Sequence, residues 1–166
     1  MTCSVRPANA TDTPFLWQML YIAAHMAEGH EPMEGIYDHP ELAKYVRDWP
    51  RANELGVIAV DMETGAAAGA AWLRFFPEGE RDYGFIDEQT PELAIAVRAE
   101  HQGQGVATLL LQHLLADAQA HYPAVGLTVR EGNPAIRLYE RQGFQAIGQV
   151  VNRVGTMSLL MVRRFN

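Results

Sequence analysis

Cysteine is nearly missing: Cys3 is the only one in 166 residues, so no disulfide can form within the chain. None is needed, because a chain of this length buries about 70% of its extended surface, enough for a core without a staple or a metal. One cysteine also fits a reducing cytoplasm. Long apolar runs are missing too. None approaches the roughly 20 residues that cross a bilayer, and the opening MTCSVRPANATDT lacks the apolar centre of a Sec signal; no membrane association and no leader are expected. Basic residues are scarce: 13 Lys and Arg stand against 20 Asp and Glu, a formal charge of −7. That balance excludes a general binder of nucleic acid or anionic membranes. Any bound anion must be held locally, by backbone amides and a few arginines. Repeats, low-complexity tracts and linkers are also lacking, and the length predicts a single domain over 1–166.

What is present reads as a mixed α/β chain. CSVRPA predicts a short first strand, and TPFLWQMLYIAAHM a helix opened by Thr13 and Pro14. Residues 27–39 carry turn residues and acids without Lys or Arg, and read as a loop; a second short helix follows from Pro40. LGVIAVDMETGAAAGAAWLRFF is a hairpin turning at Glu63, Thr64 and Gly65. A long acidic connection fills 77–90. ELAIAV is a continuous apolar strand, expected to be buried on both faces. The longest helix spans QGVATLLLQHLLADAQAHY, then AVGLTV is a further buried strand. NPAIRLYERQGF is a helix with Asn133 as cap, Pro134 in the first turn and Gly143 as stop. Two closing strands, expected to be antiparallel, complete a mixed central sheet of about seven strands with flanking helices. A parallel crossover is expected around the 103–121 helix.

Between the buried strand and the long helix lies a polar corner, RAEHQGQG. A P-loop needs Gly-Lys, which this chain does not contain, and a dinucleotide fingerprint needs a third glycine where Thr108 stands. What remains is Gln102-x-x-Gly105-x-Ala107 at a helix start. The first amides of a helix lack internal partners, and small residues let a diphosphate approach them. A tight strand-to-helix turn that merely needs glycine explains the same residues, so on the corner alone both readings stand.

ELAIAVRAEHQGQGVATLLL resembles motif A of the GNAT acyltransferases, whose pattern is Q/R-x-x-G-x-G/A after an apolar strand. LTVREGNPAIRLYERQGF resembles the segment that follows it in the same superfamily. Together they cover 92–144. The resemblance implies a GNAT-like α/β fold whose strands 92–97 and 125–130 splay at a cofactor cleft, acetyl-CoA as cosubstrate, and N-acetyl transfer to a primary amine by direct attack. It implies backbone pairing of Ile95 and Val97 with the pantetheine arm, an oxyanion held by an amide near Val97, and a pyrophosphate held by Gln102, Gly103, Gln104, Gly105, Val106, Ala107 and Thr108. Asn133 would reach the pantetheine besides capping its helix, and Tyr139 would be the acid that receives the departing thiolate. Reference values near 8.5 for a thiol and 10 for tyrosine make full proton transfer uphill by roughly 2 kcal/mol, so hydrogen-bonded stabilisation is expected.

The family does not fix the base. Glu92 is the candidate, with a solvated strand-start acid as the plainer reading. Arg98 and Arg137 read equally as phosphate partners or surface arginines, and His101 reads as a solvated loop residue. The acceptor the resemblance implies is a small-molecule or peptide amine, its identity left open. Acids in 27–39 and 77–90 would favour a cationic one, although such loops also simply keep a surface wetted. Trp17, Tyr21, Met26, Met33, Tyr37 and Trp72 could line an acceptor wall, or belong to the core. The spacing of His25, His30 and His39 matches no metal motif, so no metal is expected. The C-terminal hairpin could carry a homodimer at its edge. The rival readings are a non-catalytic acyl-CoA-binding regulatory module, which would keep the corner without the acid and base, and an adaptor that binds no CoA.

Overall fold

The computed structural model describes residues 2–166. Its strands form one seven-stranded sheet in the order β1-β2-β3-β4-β5-β7-β6. By compactness the chain divides into two units. One takes the residues up to Arg74 together with Ala94–Leu115, the other Phe75–Leu93 together with Ala116–Asn166.

In the first unit, β1 (Cys3–Pro7) pairs antiparallel with β2 (Gly56–Asp61), and β2 with β3 (Ala67–Arg74). The helix α1 (Thr13–Ala23) follows a capping box, in which Asn9 accepts from Thr11 N and Asp12 accepts from Asn9 N. Leu16, Met19 and Leu20 share one face of α1, the i, i+3, i+4 spacing, and join Ile58, Ala70 and Trp72 in the core. The segment 27–39 is more ordered than its composition predicts. It forms two tight 3-10 helices, Met26–Gly29 and Met33–Asp38, because Met26 and Ile36 are drawn fully into that core.

The second helix is shorter than expected: α2 covers only Pro40–Ala43. The carbonyls that would continue it serve buried side chains of β3 instead. Arg74 donates to the Lys44 and Arg47 carbonyls, and Trp72 Nε1 donates to Tyr45 O at 2.9 Å. Arg74 also forms a buried pair with Glu54, at 3.1 and 3.3 Å, which answers the charge this side chain takes into the core.

In the second unit, β5 (Ala124–Arg130) pairs antiparallel with β7 (Met157–Arg164) from Ala124 opposite Arg164 to Arg130 opposite Ser158, and β6 (Gln145–Val151) pairs antiparallel on the far side of β7. The strand β4 (Glu92–Val97) meets β5 in parallel at Glu92 and Gly126. The intervening α3 (Val106–Ala118) makes this the expected crossover. The acidic connection is pinned by Asx turns, in which Asp82 Oδ1 accepts from Gly84 N and Asp87 Oδ1 accepts from Gln89 N. It lies so close to β5 that a Cβ on Gly126 would stand 2.5 Å from Ile86 Cδ1.

Candidate active site

The first unit holds the end of β4 and the corner. Arg98 N donates to Ala68 O of β3 at 2.8 Å. Backbone groups alternate along a strand, so those of Ile95 and Val97 turn away from β3. Ile95 is the one half-buried residue of β4; the other five are buried. Close packing of this strand is set by Gly69, where a Cβ would stand 2.9 Å from Ala96 O and 3.3 Å from Leu110 Cδ1 of α3. The sequence reading passed over Gly69, although its place in the small-residue run GAAAGAA signals a close approach.

The long helix begins at Val106 and not at Gln104, because Gly103 and Gly105 have φ of +75° and +81°, which an α-helix cannot use. Gly105 acts as the cap: its carbonyl accepts from Leu109 N at 3.1 Å. The amides of Val106, Ala107 and Thr108 therefore precede the first rung of the helical ladder and carry its positive end. Gln102 to Gly105 are exposed, and a Cβ on either corner glycine would meet nothing within 4 Å. Space and amide polarity together suit an approaching anion. The Gln102 side chain donates to Val97 O at 3.0 Å, tying the corner to the strand end, so its carboxamide has a structural task.

His101 is not a solvated loop residue. It is 9% exposed, and its Nε2 stands 3.2 Å from Asp61 Oδ2 at the end of β2. The preceding 3-10 turn, Ala99–His101, swings the ring inward, which the hydrophilic sequence around it does not reveal. The Glu63 amide, and after it His101, hold the Asp61 carboxyl below the usual carboxylate range. Arg98 donates to Gln18 Oε1 at 3.1 Å and lies over the Phe15 ring.

The second unit holds Glu92, Asn133, Arg137 and Tyr139. Glu92 is 6% exposed, which corrects the solvated reading. It is covered by the acidic connection: a Cβ on Gly84 would stand 2.6 Å from Glu92 Oε1 and would have to push the carboxylate aside. The adjacent Tyr83 phenol is pushed up by burial, then by Asp82 and Glu92. The helix α4 (Ala135–Arg141) starts two residues after Asn133, yet Asn133 Oδ1 accepts from Ala135 N at 2.9 Å, as a capping asparagine does. Arg137 is exposed.

The far end of α4 sets Tyr139. Phe144 N donates to Tyr139 O and Gly143 N to Glu140 O, each at 3.0 Å, with Gly143 at φ +90°. This is a Schellman stop, whose usual apolar contact is here the edge-on packing of Tyr139 against Phe144, centroids 6.0 Å apart. Tyr139 is half-buried, and burial pushes its pKa up to about 12.

Among the aromatic and Met candidates, Met26 and Trp72 are core, while Trp17, Tyr21 and Met33 pack partly buried against it. Tyr37 is half exposed, its ring centroid 4.7 Å from that of Trp17. Of the three histidines, His39 lies between Glu31 and Glu41, at 2.8 and 3.2 Å, and His25 contacts Glu28. Among the described residues no group of three or more His, Cys, Asp or Glu is arranged to hold a metal, and no helix is long and apolar enough to cross a membrane.

The strand order and the two motif segments define an acetyltransferase fold, and the comparison with known proteins names it. The model of the acetyltransferase (GNAT) family matches residues 19–144, so the chain belongs to that family and is an acetyltransferase. No protein of curated function matches the chain. Among solved structures it is similar to a ribosomal-protein-alanine N-acetyltransferase from Brucella melitensis, at 22% identity and a TM-score of 0.71 over 98% of this chain and 99% of that one. It is also similar to a GNAT-family acetyltransferase from Streptococcus pneumoniae, at 19% identity and 0.70 over 99% and 100%. A spermidine N-acetyltransferase chimera from Vibrio cholerae aligns at 22% and 0.61 over 99% and 96%. At these identities the solved structures speak for the fold.

Proposed function

We propose that the chain moves an acetyl group from acetyl-CoA to a primary amine by direct attack, acting as one transferase domain. The observation that carries this reading is the corner. Two glycines in left-handed conformation face open space directly ahead of three helix-start amides, in a chain of the GNAT family. Amides from Gln102 to Thr108 receive the pyrophosphate, the outward backbone of Ile95 and Val97 receives the pantetheine, and Asn133 adds its carboxamide. The Val97 amide stabilises the oxyanion.

Glu92, directly or through water, takes the proton that an amine near pKa 10.4 must shed, a step costing about 4–5 kcal/mol at neutral pH. Tyr139 donates a hydrogen bond to the developing thiolate. With its pKa at about 12, complete transfer to a thiol near 8.5 would be uphill by about 5 kcal/mol, so the hydroxyl stabilises charge and keeps its proton until late. No side chain carries the acetyl group. Burial, with Asp61 beside it, pushes the Cys3 thiol up, and this disfavours the thiolate that acyl transfer would need.

The proposed acceptor is a small-molecule or peptide amine, cationic in solution, which the net charge of −7 would attract. A cytoplasmic setting suits the lone cysteine, and neither nucleic acid nor membrane is proposed as a partner. Homodimer formation through β6 is proposed because its residues are largely exposed, including Ile147 and Val151. The deciding assay incubates the protein with acetyl-CoA and a panel of small and peptide amines and follows free thiol. Amine-dependent thiol release is expected. CoA binding without release across the panel would favour the regulatory module.

A further inference from the structure

The corner that would hold the pyrophosphate is exposed from Gln102 to Gly105, and ahead of the Gly105 carbonyl it belongs to no strand or helix. Such a segment should be loose, and a loose array of amides loses affinity because binding must order it. Besides the Gln102 and Gln104 side chains, which donate to the Val97 and Glu100 carbonyls, a buried tie holds it immediately before Gln102. The His101 ring is turned inward and reaches 40 residues back in sequence to Asp61, with 3.2 Å between Nε2 and Oδ2. A carboxylate can only accept, so Nε2 carries the hydrogen and donates.

Asp61 is itself tied on three sides. Its Oδ1 accepts from Glu63 N at 2.9 Å, its amide donates to Ala66 O at 2.9 Å, and its carbonyl accepts from Gly65 N at 2.7 Å. Each of these bonds belongs to the tight β2–β3 turn. The ring is also fixed from its own backbone, where His101 N donates to Arg98 O at 2.9 Å. Both residues are buried, which limits competition from water for the bond.

We propose that the His101–Asp61 pair positions the pyrophosphate-binding corner: it anchors the residue before Gln102 to the β2–β3 turn, so that the amides of 102–108 stand in their binding arrangement before the cofactor arrives. His101 is a positioning residue and touches no reacting atom. The inference rests on the acetyl-CoA reading above. It differs from a purely structural role in one respect: its loss should be felt by ligands that carry the pyrophosphate and not by those that lack it.

The test measures the affinity of the intact protein for CoA by calorimetry, and for S-acetylpantetheine, which has no pyrophosphate, by competition. Wild type, His101→Leu and His101→Gln are compared after thermal melts establish that each is folded. His101→Leu is expected to lose about tenfold in CoA affinity while S-acetylpantetheine affinity is held. His101→Gln, whose carboxamide can still donate to Asp61, is expected to recover most of the loss. Should His101→Leu not fold, Asp61→Ser removes the acceptor and reads the same difference. An equal loss for both ligands, or unchanged CoA affinity in the variants, overturns the anchor and leaves the acetyl-CoA reading standing. Wild-type protein that binds no CoA overturns that reading, and the anchor with it.

Discussion

At the start of α3 and at the end of α4 glycines bend the backbone into the left-handed region, and they do so for different reasons. At the start of α3, Gly103 and Gly105 have positive φ and nothing stands where their side chains would be. At the end of α4, Gly143 also has positive φ, but a Cβ there would stand 2.6 Å from Arg163 Nε and 2.8 Å from its Cδ. The second glycine is a stop: it closes a Schellman motif and returns Phe144 to Tyr139 within the protein. The first pair does no such closing, and the space in front of it is left open to solvent. On the proposed reading, a left-handed turn facing open space ahead of helix-start amides receives a ligand from outside, whereas the same turn against a packed side chain serves the fold.

The largest expected effect separates chemistry from architecture at the α4 end. Tyr139→Phe keeps the ring against Phe144 and the Schellman bonds, which are backbone bonds, and removes only the hydroxyl. Turnover should fall by roughly 10²-fold with CoA affinity unchanged, read by thiol release and calorimetry. Subtracting the ultraviolet titration of the variant from that of wild type should show a phenolate appearing at about pH 12, well above free tyrosine. Because the folded pKa is raised, the stability linked to this group is full below pH 10 and is lost as pH rises from there through 12. An unchanged rate in the variant would falsify the acid role and reduce Tyr139 to a packing residue.

Next in size is the contrast between the glycines themselves. Gly105→Glu places a carboxylate where the phosphates would lie, and CoA affinity should drop by about tenfold or more. Gly143→Ala should instead lower stability by about 1–2 kcal/mol from left-handed strain, with affinity held once the protein is folded. If both variants lose affinity alike, or neither does, the distinction between the two corners fails.

The difference between these regions also explains what the sequence could disclose. Glycine, proline and asparagine act locally, so the corner at 103–105, the cap at Asn133 and the stop at Gly143 were all legible from adjacent residues. The succession of strands and helices along the chain was legible because apolar runs and turn signals alternate regularly. The misses that bear on the site involve partners that adjacent letters do not name. His101 reads as solvated because its neighbours are polar, and nothing nearby points to Asp61. Glu92 reads as an exposed strand start because the residue that covers it, Gly84, belongs to an acidic stretch whose ordering by Asp82 and Asp87 shows only in three dimensions. The second helix stops early for the same reason: Arg74, some thirty residues on, takes its carbonyls. Local chemistry writes itself into a sequence, whereas a buried polar pair leaves two ordinary letters.

The smallest effect serves as a control on the anchor at the corner. Asp12 is a carboxylate held below its usual range, chiefly by hydrogen bonding with Arg6, at 2.8 and 3.0 Å, near the start of α1. Its depressed pKa stabilises the fold fully above the unfolded value of about 3.9 and ceases to do so as pH falls through the folded value. Arg6 is substantially exposed, so solvent screens the pair, and Asp12→Asn should cost only about 0.5–1 kcal/mol at neutral pH. Thermal melts of variant and wild type should converge as the pH falls through that folded value. CoA affinity should not move, since Asp12 has no bond to the corner, whereas removing the acceptor at Asp61 should shift it. Equal shifts in affinity from the two aspartates would mean that the corner responds to global stability alone, and the specific tie through His101 would lose its support.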